Sequence, residues 1–221
     1  MDAVALLRLL QLFDSQFPVG AFAHSGGLET YAATGAELPQ LRELLGTQIA
    51  LGWGRSELAA ACLAWRTGVD RTSLRALNDL SARVDAIKVI PAARDTSIRL
   101  GRRTLTLVRR LYPDAMSGLD VQPTHQAVVI GAIGRRLGLE LTPLLIAFAQ
   151  SLTAGTLAAA TRCMPVSPAQ AQSLLVDVHD ALASAVARVQ RDPEDQLFTC
   201  TPALDIRAHQ QAFLHTRLFQ S

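Results

Sequence analysis

The chain has 221 residues, of which 49% are hydrophobic and 18% charged, and its formal net charge is +2 at neutral pH. This length suits one large or two small domains and allows a hydrophobic core without disulfide or metal support. The low charge content excludes a disordered chain, and the small basic excess indicates no particular partner. Lys88 is the only lysine, and because it stands between Ile87 and Val89, a P-loop nucleotide site is also excluded.

Three cysteines, Cys62, Cys163 and Cys200, form no C-x-x-C pair. Their odd number and wide spacing favour a reducing compartment over a disulfide framework or a thiolate zinc site. The first residues lack the pattern of a signal peptide, which predicts a cytoplasmic protein. The uncharged stretch 144–160 has only the minimum length for a membrane span and includes several polar residues, so we predict a buried helix of a soluble bundle.

Alanine, leucine and arginine dominate the sequence, and these residues favour helices. We therefore predict an all-α, single-domain bundle of about eight to ten helices over residues 1–221, with a looser C-terminal tail from about 194 that docks on a partner or on its own domain. Proline and glycine residues at the segment ends support the assignment. The predicted helical segments are 4–13, 26–34, 38–66, 73–89, 92–111, 124–137, 143–161 and 168–191.

The predicted helix 92–111 has two different faces. At 100° per residue, its apolar side chains gather on one side and its arginines on the other. The arginines are Arg99, Arg102, Arg103, Arg109 and Arg110. This pattern fits either a solvated face or a surface for an anionic or acidic partner, because arginine binds carboxylates and phosphates in a bidentate manner.

Two further regions carry candidate functional residues. The Gly- and Pro-rich stretch 14–29 contains His24, Ser25 and Glu29, which could belong to a hydrolase, but no nucleophile elbow accompanies them. A structured loop in which Ser25 caps the following helix is the alternative.

The five histidines show no metal-ligand spacing, so we predict no stably bound cofactor. The chain ends in an apolar and basic combination, Arg217 with Leu218 and Phe219, which predicts docking on its own domain or on another chain.

Several stretches resemble the urease accessory protein UreF family. The stretch LLQLFDSQFPVGAFAHSGGLE at 9–29 is similar to that family's N-terminal signature, and RLFQS at 217–221 resembles its closing R-L-F-x-S. RDTSIRLGRR at 94–103 is similar to a family helix of the form R-x-x-S-x-x-x-G-R, and residues 158–172 occupy the place of its R-x-x-P-x-G-Q segment. The resemblance thus extends over nearly the whole chain.

The resemblance implies an all-helical, non-catalytic scaffold that is often dimeric. Such a protein joins UreD, also called UreH, to the GTPase UreG in the complex that delivers nickel to apo-urease. Nickel would then pass through the complex rather than bind this chain stably. The alternatives that remain open are an arginine-faced module that binds nucleic acid and a hydrolase that uses His24, Ser25 and Glu29.

The resemblance also assigns partner-binding residues. Glu29 and its glycine-rich loop, with His24 and Ser25, would belong to a surface for the GTPase, and Arg162 stands where the family has a basic residue of the same surface. The tail would become ordered on binding UreD. The remaining expected partner contacts are Arg94, Arg102, Arg103, His209, Arg217, Leu218, Phe219 and Ser221. The chain departs from the family pattern at 165–168, where Pro-Val-Ser-Pro replaces Pro-Leu-Gly-Gln.

Overall fold

A computed structural model describes residues 1–20, 26–68, 71–215 and 218–219, with only the backbone described at 71 and 72. The described part contains eleven α-helices and no strand, which confirms the all-α prediction. The first six helices are α1 (Ala3–Leu12), α2 (Leu28–Ala33), α3 (Leu38–Leu51), α4 (Trp53–Arg66), α5 (Arg71–Ile87) and α6 (Pro91–Leu111). The others are α7 (Gln126–Arg136), α8 (Leu141–Cys163), α9 (Pro168–Asp177), α10 (His179–Arg191) and α11 (Pro202–Gln210), and a 3-10 turn (Gln211–Phe213) follows α11.

The helix count exceeds the predicted eight to ten for identifiable reasons. The segment predicted at 38–66 divides into α3 and α4 at Gly52, where a Cβ would lie 2.1 Å from Gln48 Oε1. The segment predicted at 168–191 is interrupted at Val178. Helix α11 lies in the region predicted as a looser tail, and Pro202 at its first position favours a helix start there.

The main hydrophobic core surrounds α4 and α7, which cross at close range. Small side chains make this possible: Ala59, Ala60 and Ala61 of α4 are fully buried. On α7, a Cβ at Gly131 would lie 2.2 Å from the carbonyl oxygen of Ala61, so the two backbones are in direct contact there. Helices α1, α5, α6, α8 and α10 add side chains to the same core.

A second, smaller core lies beside α2. It combines Leu28 of α2 with Leu41 and Leu45 of α3, the C-terminal half of α8, α9, and Phe219 from the chain end. Helix α8 is long enough to join the two cores, because Phe148 belongs to the first and Leu157 to the second. The second core therefore positions both α2 and the C-terminal residues.

Helix α8 is the one helix in the described ranges that is long and apolar enough to cross a membrane, with a mean hydropathy of 1.5. By itself this is weak support for a span, because core helices have the same composition. Leu144, Leu145 and Phe148 are buried inside the main core. These contacts are those of a core helix, as predicted from the polar residues within the stretch.

Candidate partner-binding site

The C-terminal segment folds back on α2 of its own chain. We define this segment as α11, the 3-10 turn, Leu218 and Phe219. Gly27 precedes α2 with φ +95° and donates its backbone N–H to Gln211 Oε1 at 2.9 Å. A Cβ at Gly27 would lie 2.9 Å from Ala208 Cα, so only glycine allows α11 to approach this closely.

Glu29 holds the segment in place from the first turn of α2. Its side chain is buried, with the residue only 6% exposed. One carboxylate oxygen accepts a hydrogen bond from Gln211 Nε2 at 2.7 Å, and the other accepts from the backbone N–H of Leu218 at 2.6 Å. The position at a helix N-terminus also favours a negative charge. Glu29 therefore acts as the central acceptor of the folded-back arrangement.

Two further contacts fasten the same segment. Thr30 Oγ1 donates to the carbonyl oxygen of Arg207 at 2.9 Å. Phe219 is 6% exposed and packs in the second core. Phe213 and Leu218 lie on the outside, 75% and 72% exposed. The segment thus has one face bonded to α2 and another that presents large apolar side chains to solvent.

In the isolated chain, Glu29 and Phe219, two of the predicted partner contacts, face the interior. Both side chains are buried, because Glu29 accepts two hydrogen bonds from the C-terminal segment and Phe219 fills space in the second core. Leu218 is exposed as a partner contact requires, and exposed His209 lies edge-on to the ring of Phe213 at 5.7 Å. His24, Ser25, Arg217 and Ser221 lie outside the described residues.

The remaining predicted site residues lie on other elements. Arg162 is exposed in the last turn of α8. The neighbouring stretch 165–168, which departs from the family pattern, has a local structural role, because Ser167 caps α9 in a capping box and Pro168 occupies its first position.

Arg102 and Arg103 are exposed on α6, and Arg94 of the same helix lies 3.8 Å from Asp85 Oδ2. Among the predicted site residues that the structure describes, Glu29, His209, Leu218 and Phe219 are those that lie on α2 or on the C-terminal segment packed against it.

Sequence reasoning missed a buried polar cluster between α5, α6 and α7. His125 is fully buried, with its Nδ1 3.1 Å from Ser97 Oγ and its Nε2 3.2 Å from Asp85 Oδ1. Lys88 and Glu57 form an ion pair nearby. No spacing rule links these residues, which come from four separate helices or their ends. His125 immediately precedes α7, but its ring bonds to Ser97 and Asp85 and does not cap the helix, so no local signal indicated the cluster.

Burial lowers the pKa of His125 below its ordinary 6.5, and the positive charge of Lys88 lowers it further. The hydrogen bond to Asp85 and the charges of Glu57 and Asp85 act in the opposite direction, while Arg94 pairs with Asp85 from α6. Protonation therefore favours the unfolded state, whose histidine binds a proton more readily. We expect the free energy of unfolding to decrease as the pH falls below 6.5 towards the folded-state pKa.

Urea denaturation above and below pH 6.5 measures this effect. The variant His125→Asn removes the titrating ring, so its unfolding free energy should depend less steeply on pH in this window, whatever its absolute stability. His179 is exposed on α10, and His179→Asn is the matched substitution with which the slope of His125→Asn is compared. Equal slopes for the wild type and His125→Asn would contradict the assignment.

The chemistry of the other candidate groups is limited. Burial, with a smaller contribution from the negative charge of Glu29, raises the pKa of the Cys163 thiol to about 11, so it stays protonated at neutral pH. Burial also raises the pKa of the Cys62 thiol. Within the described ranges, no three His, Cys, Asp or Glu side chains come together as metal ligands would. The candidate site is therefore a protein surface formed by the C-terminal segment, which hydrogen bonds hold against α2.

Comparison with known proteins gives the same family along nearly the whole chain. The sequence profile of the UreF family matches residues 38–179. A protein of Haemophilus influenzae (strain PittEE) named urease accessory protein UreF is 30% identical over 96% of this chain and 94% of its own length. A protein of Geobacillus kaustophilus (strain HTA426) with the same name is 30% identical over 98% of both chains.

A more distant relative covers both ends. The urease accessory protein UreF of Trichormus variabilis (strain ATCC 29413 / PCC 7937) is 24% identical over 100% of both chains. That alignment therefore includes both α2 and the C-terminal segment that packs against it.

Proposed function

Because the chain belongs to the UreF family of urease accessory proteins, we propose that it is a non-catalytic scaffold that bridges UreD, also called UreH, and the GTPase UreG during urease maturation. In this role it carries no stable cofactor, and nickel passes through the assembled complex to the urease active site. The scaffold works in the cytoplasm as a homodimer. The observation that carries this proposal is the family similarity along nearly the full length of the chain.

The folded-back C-terminal segment supports a binding role. Ile206, Phe213 and Leu218 are large apolar side chains exposed within 13 residues of one another in sequence. Exposed apolar side chains grouped on one segment are typical of a surface that binds another protein. The contacts of Glu29 with the same segment fix the backbone that presents them. We assign the outer face of this segment to the UreD-binding surface.

Co-purification with the UreD and UreG counterparts of the same genome tests the proposal. We expect the full-length chain to assemble with them and a chain ending at Ala212 to lose UreD, because the truncation removes Phe213, Leu218 and Phe219. The truncation also removes a core side chain, so a second variant is needed. Phe213→Ala combined with Leu218→Ala changes only exposed side chains and should weaken UreD binding by about tenfold or more, as expected for two apolar contacts.

The matched control is Val89→Ala combined with Val176→Ala, which removes two exposed apolar side chains elsewhere on the chain. Its affinity for UreD should lie within about twofold of that of the wild type, which is a free-energy difference well under 1 kcal/mol. If the full-length chain fails to bind either folded counterpart, the scaffold proposal is wrong. If the double alanine variant binds as tightly as its control, the UreD surface lies elsewhere.

A further inference from the structure

Helix α6 presents a row of arginines away from the core. Its buried side contains Ser97, Leu100, Gly101, Thr104, Leu105 and Val108. On its other side, Arg99, Arg102, Arg103 and Arg110 are exposed, and we call these four residues the arginine face. The face extends over about 16 Å, because 11 residues separate its ends at 1.5 Å per residue.

The arginine face gathers four exposed arginines on one helix without a carboxylate partner among the described residues, whereas some surface arginines elsewhere have such a partner. Arg42 pairs with Asp177 at 2.7 Å, and Arg83 pairs with Glu194 at 2.6 Å. Arg109, which the sequence placed with the face, turns away from it and contacts Asp120 at 3.4 Å. Within the described ranges, no member of the arginine face forms a salt bridge with a carboxylate of this chain.

The hydrogen bonds of the four residues show which groups remain available. Arg99 donates to Thr96 Oγ1 at 3.2 Å, and Arg103 donates to the carbonyl oxygen of Val19 at 3.3 Å. Arg102 and Arg110 form no hydrogen bond with any described group. The face therefore offers two uncommitted guanidinium groups beside two that are held by neutral acceptors.

The helix that carries these charges is held rigidly. A Cβ at Gly101 would lie 1.9 Å from the carbonyl oxygen of Thr124, so the backbone of α6 touches the chain that leads into α7. Thr124 Oγ1 also donates to the carbonyl oxygen of Ile98 at 3.2 Å. A binding surface on a rigid helix is positioned more precisely than one on a loop.

We propose that the arginine face docks on an acidic surface of a partner protein of the urease maturation complex, and this inference rests on the proposed function. Carboxylates of the partner would then pair with the arginine face in a bidentate manner and neutralise its charge. A protein fits better than a nucleic acid, because the net charge is only +2, aromatic residues make up 5% of the chain and the basic cluster is confined to one helix.

The test compares two variants that remove the same charge. Arg102→Gln combined with Arg110→Gln removes the two uncommitted groups without disturbing a described hydrogen bond. Arg75→Gln combined with Arg191→Gln removes two exposed arginines from α5 and α10. Biolayer interferometry measures the affinity of each full-length protein for purified UreD and UreG counterparts over a range of salt concentrations. A short DNA duplex and poly-L-glutamate serve as additional probes.

We expect Arg102→Gln/Arg110→Gln to bind one counterpart about tenfold more weakly at low salt, with a smaller difference at high salt because ions screen the lost pairs. The Arg75→Gln/Arg191→Gln control should stay within about twofold. Poly-L-glutamate should bind the wild type more tightly than Arg102→Gln/Arg110→Gln.

If the complex forms and both double variants bind alike, the docking surface is refuted while the scaffold proposal stands. If the wild type binds neither counterpart, both are refuted. If the chain binds neither counterpart but binds the DNA duplex tightly and with a steep salt dependence, the partner of the arginine face is a nucleic acid and not a protein.

Discussion

Replacing Phe219 by alanine is expected to release the C-terminal segment from α2. Phe219 is the one described side chain of the last four residues that reaches the second core. Truncating a buried phenylalanine costs about 3–5 kcal/mol when the surrounding structure stays in place. A chain end can instead detach, so the cost to global stability is limited to the free energy that holds the segment down. We therefore expect local opening rather than global unfolding.

Hydrogen exchange at the Leu218 amide measures this opening, because that N–H donates to Glu29. In Phe219→Ala the amide should lose its protection, while amides in α4 and α7 keep theirs. Leu218→Ala is the matched control, since its side chain is exposed and its amide is unchanged. Unaltered protection of residue 218 in Phe219→Ala would show that Glu29 and Gln211 hold the segment without the aromatic ring.

The same variant connects the folded-back arrangement with the proposed function. If the outer face of the segment binds UreD, Phe219→Ala should also weaken that binding, because the free segment must be ordered again when the complex forms. If the segment opens in Phe219→Ala but the affinity for UreD is unchanged, UreD binding does not depend on the folded-back arrangement. Comparison with Phe213→Ala/Leu218→Ala then distinguishes loss of order from loss of contacts.

Local rules predicted the helices well because the relevant signals lie close together in sequence. Pro168 after Ser167 predicts the start of α9, and Gly138 beyond α7 predicts a helix end. The break at Gly52, where φ is −105° and ψ is −126°, divides the segment predicted as one helix at 38–66. Helix α11 escaped the prediction because its apolar residues show weak periodicity and its contacts are with α2, far away in the chain.

The site could be predicted only in part, because its contacts join distant residues. Glu29 and Gln211 are separated by 182 positions, and no pattern within either stretch indicates that they meet. Family similarity indicated that Glu29 and the chain end matter, but it assigned them to partner surfaces. In the isolated chain both side chains are buried in intrachain contacts, which no local pattern predicts. Exposure of Arg102 and Arg103, in contrast, followed directly from helical periodicity.

Replacing Gly131 by valine should destabilise the whole fold. Gly131 lies where α7 crosses α4, and its missing Cβ would lie 2.2 Å from the carbonyl oxygen of Ala61 and 2.8 Å from Ala64 Cβ. A carbonyl oxygen in the middle of a helix cannot turn aside as a side chain can. The helices must therefore move apart, and overpacking of this kind costs about 1–3 kcal/mol or more. We expect the upper end, because α4 and α7 form the centre of the main core.

Gly46 provides the control, since it lies exposed within α3 and a Cβ there has no neighbour within 4 Å. Gly46→Ala should stabilise the protein by about 0.5–1 kcal/mol, because alanine loses less conformational freedom in a helix. If the close crossing of α4 and α7 organises the fold, urea denaturation should show a lower free energy of unfolding for Gly131→Val and a higher one for Gly46→Ala. A gain in stability for Gly131→Val would mean that these helices pack through side chains and that their backbones do not touch.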